Sequence, residues 1–390
     1  FIGSIVFIEE GEYLSSDITH LHLIDGQQRL TTILLLVSAL GDAVEQKGKS
    51  EGLSKTKIQN TFLFNVDEEE ENHYKLILTQ SDKDTLINIL EGLELSEKSS
   101  RNLVTNFEFF KEQISNSEID LDAIYKGILK LITVEISLGK DDDAQSIFES
   151  LNSTGLELSQ ADLIRNYVLM GLERQEQTRI YKNYWFKIEE GFGHSEGTDI
   201  FDRFMRDYLT IKTHNLVNEK EVYTIFKKIF YNKEKTEELV KDIHYYSKFF
   251  TILSFGETKD KEIKEKIQNI NNLPAIVAYP FLLQVYSDYD KKEISREVLL
   301  EILDLVESYV FRRQICAIAS SSLNKTFARL YDVIKKEDYL TSFKAGLSLM
   351  DDYRRFPNDD EFQDMFQVRN VYNFKSRKFL FRKLENFERK

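Results

Sequence analysis

A chain of 390 residues, 42% hydrophobic and 30% charged, is long enough for roughly two or three domains with cores of their own. Its 66 Asp and Glu outnumber 52 Lys and Arg, and the net charge of -14 excludes wrapping of nucleic acid over the whole surface, so any DNA contact has to be local. The lone Cys316 excludes an internal disulfide and a four-cysteine zinc cluster, and no apolar run is long enough to span a bilayer, so the expected setting is the cytoplasm, without a membrane partner.

Phe1 to Ile8 is an apolar run without the basic segment and cleavage site of a signal peptide, and it reads as a strand. Phe1 to Glu9 and His20 to Ile24 fit a strand pair joined by a polar loop containing Gly11 and Ser15-Ser16-Asp17. Asp25-Gly26-Gln27-Gln28-Arg29 then leads into a helix whose apolar positions are Leu30, Ile33, Leu34, Leu35, Leu36, Val37 and Leu40. A turn at a helix N-terminus offers unpaired amides and the positive end of the helix dipole to an anion. Gly26 lets the backbone come close to it, and Arg29 adds a planar charged fork suited to phosphate oxygens. The same residues also fit a tight turn in which Asp25 caps the helix and Arg29 sits in a structural salt bridge.

From about residue 47 to 130 the pattern is helical with polar interruptions, and Leu131 to Leu138 returns to a β-branched strand, so a helical insertion splits the small sheet. The acidic runs Asp67-Glu68-Glu69-Glu70-Glu71 and Asp141-Asp142-Asp143 read as solvated loops rather than cation sites. A helix with Ile147, Phe148 and Leu151 ends at Asn152-Ser153-Thr154-Gly155, and Ser159-Gln160-Ala161-Asp162 has the spacing of a capping box for the next helix. On that helix Asp162, Arg165 and Asn166 share a face, which a surface Asp162 to Arg165 pair also explains. Residues 171 to 310 carry aromatic stripes at helical spacing, such as Tyr181, Tyr184, Trp185 and Ile188, that fit the core of a helical bundle better than stacking platforms. Only 3 prolines point to long helices, with Pro274 and Pro280 at helix boundaries. Near the C-terminus Arg369, Lys375, Arg377, Lys378, Arg382 and Lys383 gather, which fits either a phosphate contact or an exposed basic helix.

The run from Asp25 to Thr32 resembles the signature of the GmrSD-type restriction endonuclease family, whose N-terminal domain is related to the ParB and sulfiredoxin folds. Ile147 to Ser159, followed by Asp162-Leu163-Ile164-Arg165-Asn166, resembles the second motif of the same domain. Phe311-Arg312-Arg313-Gln314-Ile315-Cys316 with Leu323-Asn324-Lys325 resembles the junction into the C-terminal nuclease domain. The resemblance implies a mostly α protein with a small α+β core: a ParB/sulfiredoxin-like domain at 1–170 with the helical insertion, a helical domain at 171–310, and the start of a nuclease domain at 311–390. It also implies a preceding strand segment with a Tyr-Gln-Arg-like motif and a His-Asn-His nuclease core after the junction, neither of which lies within these residues.

What the resemblance implies for chemistry is the nucleotide-controlled part of a restriction or phage-defence endonuclease acting on modified DNA. Its cofactors are a nucleoside triphosphate of unassigned base and Mg2+, and self-association joins DNA and nucleotide among the expected partners. Gly26, with Thr31 and Thr32, is expected at the phosphate, Arg29 neutralises it, and Gln27 or Gln28 orients water or the nucleotide. Asp25 holds a cation or acts as a base, or simply caps the turn. Asn152, Asp162 and Asn166 are expected to form a second wall of the nucleotide site, and Arg377, Lys378 and Arg382 to contact DNA. Two alternatives stay open: a ParB-like nucleotide-gated DNA adaptor without hydrolysis, and a helical scaffold. No P-loop, nucleophile elbow or zincin motif occurs. Sulfinic acid reduction is excluded because Gln27 and Gln28 stand where a reactive thiol is needed, and Cys316 reads as a small buried hydrophobe.

Overall fold

The computed structural model describes residues 1–10, 18–47, 53–78, 80–96, 99–116, 120–139, 142–152, 159–170, 172–193, 199–231 and 235–388. The expected loop with Gly11 and Ser15-Ser16-Asp17 lies outside them, as do Asp141 and the turn residues Ser153, Thr154 and Gly155. The chain divides into two compact units, Phe1–Gly155 and Leu156–Lys390. It is mostly helical with one small sheet.

In the first unit β1 (Ser4–Glu10) is the central strand, flanked by β2 (His20–Asp25) and β3 (Val134–Leu138) in the order β2-β1-β3. β1 pairs antiparallel with β2, with a register shift between Val6 and Phe7, and parallel with β3 from Ser4 opposite Val134 to Ile8 opposite Leu138. A parallel pair needs a long crossover, and the insertion supplies it. It comprises α1 (Gln27–Lys47), α2 (Lys55–Phe62), α3 (Gln80–Glu91), α4 (Arg101–Asn116) and α5 (Leu121–Ile128), and α6 (Ala144–Asn152) follows β3. α1 is the hub: Leu34, Leu35, Val37, Leu40 and Val44 are buried against Ile58, Leu86, Leu90, Leu103 and Phe107 of the inserted helices. Two of the inserted helices, α2 and α5, start on local caps, with the Ser54 hydroxyl accepting from the Lys57 amide and the Asp120 carboxylate from the Asp122 amide.

The second unit is helical throughout: α7 (Gln160–Leu169), α8 (Arg174–Ile180), α9 (Phe186–Phe192), α10 (Asp199–Thr213), α11 (Val222–Ile229), α12 (Thr236–Phe255), α13 (Lys261–Asn271), α14 (Tyr279–Asp290), α15 (Arg296–Ile315), α16 (Leu323–Arg329), α17 (Tyr339–Ser348), α18 (Asp359–Val368) and α19 (Arg377–Glu388). One aromatic core runs from Ile164 on α7 through Trp185, Phe204, Phe250, Phe281 and Tyr309 to Phe343 and Phe379. The segments 171–310 and 311–390 thus share a single core. Helix α7, expected within the N-terminal domain, packs on α10 and α11 because Ile164 and Val168 are buried there. The aromatic stripe after α8 forms a π-helical turn, Tyr181–Trp185, that places the Trp185 ring in the core with its Nε1 donating to Glu189 at 3.0 Å. Among the described residues no helix is long and apolar enough to cross a membrane.

Candidate functional site

The turn between β2 and α1 is built from a glycine and an arginine that both lean on β1. Gly26 has φ +98°, and a Cβ there would lie 3.2 Å from Ile5 Cγ1 and 3.3 Å from the Ser4 carbonyl oxygen. Glycine is therefore required twice over, by backbone conformation and by contact with β1. The Gly26 carbonyl accepts the first intrahelical bond from the Leu30 amide at 3.0 Å, so the amides of Gln27, Gln28 and Arg29 precede the helix ladder and have no carbonyl partner within α1.

Arg29 closes the turn. Its Nη1 donates to the Ser4 carbonyl and its Nη2 to Asp25 Oδ2 at 2.8 Å, so one guanidinium ties β1, the end of β2 and the first turn of α1 together. Gly3, at φ +112°, makes room for it: a Cβ there would stand 3.2 Å from Arg29 Nε. Asp25 therefore acts here as the partner of Arg29. The Gln27 amide group reaches back to the Leu23 carbonyl at 3.0 Å, whereas Gln28 is exposed. The hydroxyls of Thr31 and Thr32 donate to the carbonyls of Gln27 and Gln28, at 2.8 and 2.7 Å, and stiffen the same first turns. Sequence reading does not find Gly3 and Ser4, although a glycine beside a strand is itself a signal of close approach.

In the second unit the start of α7 is fully capped. Ser159 Oγ accepts from the Asp162 amide at 3.0 Å and donates to Asp162 Oδ2 at 2.7 Å, which is the capping box with Asp in place of a longer acid. The carboxylate of Asp202, on α10, accepts from the amides of Gln160 and Ala161 at 3.3 and 2.7 Å. Arg165 pairs with Glu189 at 3.3 Å and more loosely with Asp162 at 3.8 Å, while Tyr181 and Trp185 complete the shell around Glu189. The polar face of Asp162 and Arg165 is thereby engaged inside its own unit, and Asn166 is half-buried on the following turn. Asn152 closes α6, and its side chain lies outside the described residues.

Residues 1–169 match the family described as GmrSD restriction endonuclease, N-terminal domain. This part of the chain is a GmrSD-type N-terminal domain. No curated protein matches the chain. A GmrSD N-terminal domain points to part of a restriction or phage-defence endonuclease, with a role on DNA. The matched region takes in the whole β2–α1 turn and ends at the last residue of α7.

Beyond the GmrSD-type domain, the residues around the expected junction are structural. Arg313 is buried; its guanidinium donates to the carbonyls of Tyr353 and Ala319 and to Ser322 Oγ, at 2.8, 2.9 and 2.9 Å. Arg312 pairs with Asp359 and lies over the Phe362 ring. Cys316 is buried, and burial pushes its thiol up from its ordinary value, as suits a small hydrophobe. Among the described residues no group of three or more His, Cys, Asp or Glu side chains gathers as a metal cage. Arg377, Lys378 and Arg382 are exposed on α19.

Proposed function

We propose that the GmrSD-type domain binds the phosphates of a nucleoside triphosphate at the β2–α1 turn, and that the bound state controls a DNA endonuclease acting on modified DNA. The observation that carries this reading is the head of α1, where three consecutive amides lie outside the helix ladder beside exposed Gln28 and the partly exposed Arg29. An anion arriving there competes with Asp25 for the guanidinium. Because Arg29 has two terminal nitrogens, it can keep the Ser4 carbonyl on one and exchange carboxylate for phosphate on the other.

The exchange frees a carboxylate next to the phosphates. A single half-buried Asp25 fits an Mg2+ that arrives with the nucleotide and keeps most of its water, rather than a cage built by protein alone. Such an ion supplies charge neutralisation on the phosphate oxygens. The residues of this chain then divide the remaining work: Gln28 is free to orient the nucleotide and a water beside it, Gln27 holds the loop through Leu23, and Thr31 and Thr32 keep the turn rigid. An adaptor that binds nucleotide without hydrolysing it is the second reading. It is favoured by the Asp25–Arg29 pair, which suits reversible exchange as well as turnover.

Phosphate release measured with ATP, GTP, CTP and UTP in Mg2+, with and without methylated or hydroxymethylated plasmid, separates the two. Hydrolysis of at least one nucleotide that Gln28→Ala reduces about tenfold or more supports the hydrolytic role. Binding without release supports the adaptor, and neither binding nor release contradicts both.

A further inference from the structure

We propose that the loop before α19 is a cleft for single-stranded DNA, in which Lys375, Arg377 and Lys378 hold successive phosphates and the Tyr372 ring stacks on an unpaired base. The inference rests on the DNA-directed reading above and names the surface and strand state it leaves open. Tyr372, Asn373, Phe374, Lys375, Arg377 and Lys378 line an open cleft of about 490 Å³. Its charge stands out against a chain of net charge -14. Several cations elsewhere in this unit are paired with acids: Arg206 with Asp207 and Glu219, Arg296 with Asp260 and Glu262, and Lys336 with Asp288 and Glu293. On α19 itself, Lys383 pairs with Glu307 at 2.6 Å. Among the described residues Lys375, Arg377, Lys378 and Arg382 have no acidic partner. Three of them, Lys375, Arg377 and Lys378, line the cleft, and exposed like charges gathered there make a local positive field that attracts an anionic ligand.

The cleft is held in shape before any ligand arrives. Phe374 and Ser376 are buried, and Phe374 packs on Phe311 of α15 with ring centroids 6.3 Å apart. The Tyr372 amide donates to Asn370 Oδ1 at 3.1 Å, and Arg377 Nη1 donates to the Tyr372 carbonyl at 2.8 Å, which fixes the backbone on which the ring stands. The ring itself is 82% exposed. A large aromatic face in water beside unpaired cations is the pairing that binds single strands: charge tracks the backbone while a π-face accepts any base. A duplex keeps its bases stacked inside and offers the ring nothing comparable. An anionic membrane shares the charge but makes no use of a flat stacking surface.

The test measures anisotropy of a labelled thymidine 12-mer, the same sequence as duplex, and vesicles of phosphatidylcholine and phosphatidylserine, each with the full 390-residue chain. The expected result is tighter binding of the single strand, with Lys375→Ala/Lys378→Ala making the salt dependence shallower by about 1.4 in the log–log slope. Tyr372→Ala weakens the single strand about tenfold and Tyr372→Phe by less than about twofold, because the ring is what stacks. All three variants alter exposed side chains, so an unchanged melting temperature certifies the fold. Undiminished DNA binding by the variants overturns the cleft while leaving a DNA-directed role intact. Absence of binding to either DNA overturns the cleft together with DNA contact by this chain. Vesicle binding that the double variant abolishes, with DNA ignored, overturns the nucleic-acid assignment, and equal loss with Tyr372→Phe overturns the stacking.

Discussion

Arg29 is a structural clasp and, in the proposed function, also a phosphate partner, and substitutions in this turn separate the two. As a structural clasp it bonds Ser4 and Asp25, so Arg29→Ala is expected to lower stability by about 1–2 kcal/mol, read as a shift in the urea midpoint. Gly26→Ala, which places a Cβ 3.2 Å from Ile5 in a positive-φ position, should cost at least as much, about 1–3 kcal/mol. Gln28→Ala touches neither contact and should leave stability unchanged while weakening nucleotide binding. A different residue sets a pH signature in the second unit. Burial pushes the Asp207 carboxyl up to about 6 from 3.8, against the pull of Arg206. An acid raised on folding contributes its stability fully below the unfolded value and loses it as pH rises through about 6. Asp207→Asn should therefore gain on the parent chain between pH 4 and pH 6 by on the order of 3 kcal/mol, then stay level. His244, lowered to about 4 by burial and by Lys248 and Lys187, acts in the opposite sense over the same range, so the difference between parent and variant isolates Asp207.

At the scale of elements, local pattern carries far. The period-two run before Asp25, the apolar face of α1, the return to a strand at Val134–Leu138 and the Ser159 cap all follow from spacing and capping chemistry, and all stand where that chemistry puts them. What stayed illegible is the partner reached over distance. Ser4 meets Arg29 from 25 residues away, Asp202 caps α7 from 41 residues on, and Arg313 finds the Tyr353 carbonyl 40 residues downstream. No periodicity encodes such contacts, because they depend on how elements pack. Arg313 shows the consequence. A motif arginine in the junction segment proves to be a buried support for the loops on either side of α16 and α17, and Arg313→Ala should cost at least about 3 kcal/mol by orphaning several acceptors. Arg313→Lys, with one nitrogen in place of a fork, should recover less than half of that in thermal or urea unfolding.

Across the whole molecule, family and packing divide the chain differently. The GmrSD-type match runs to residue 169, whereas the first compact unit closes at Gly155 and α7 belongs to the core of the second. A fragment of residues 1–155 should therefore remain soluble and fold cooperatively. One of residues 1–169, which exposes Ile164, Val168 and Leu169, should aggregate or bind hydrophobic dye, as light scattering and dye fluorescence would report. The first unit alone contains the β2–α1 turn, so it is also the smallest piece in which the central claim can be examined. That claim, nucleotide phosphate at the head of α1, is met most directly by calorimetric titration of ATP, GTP, CTP and UTP with Mg2+ into the full chain, Gln28→Ala and Arg29→Lys. The expected result is a saturable heat for at least one nucleotide, weakened by both substitutions at unchanged melting temperature for Gln28→Ala. Equal affinity in all three proteins, or no heat with any nucleotide, would contradict it and leave the turn as a structural clasp.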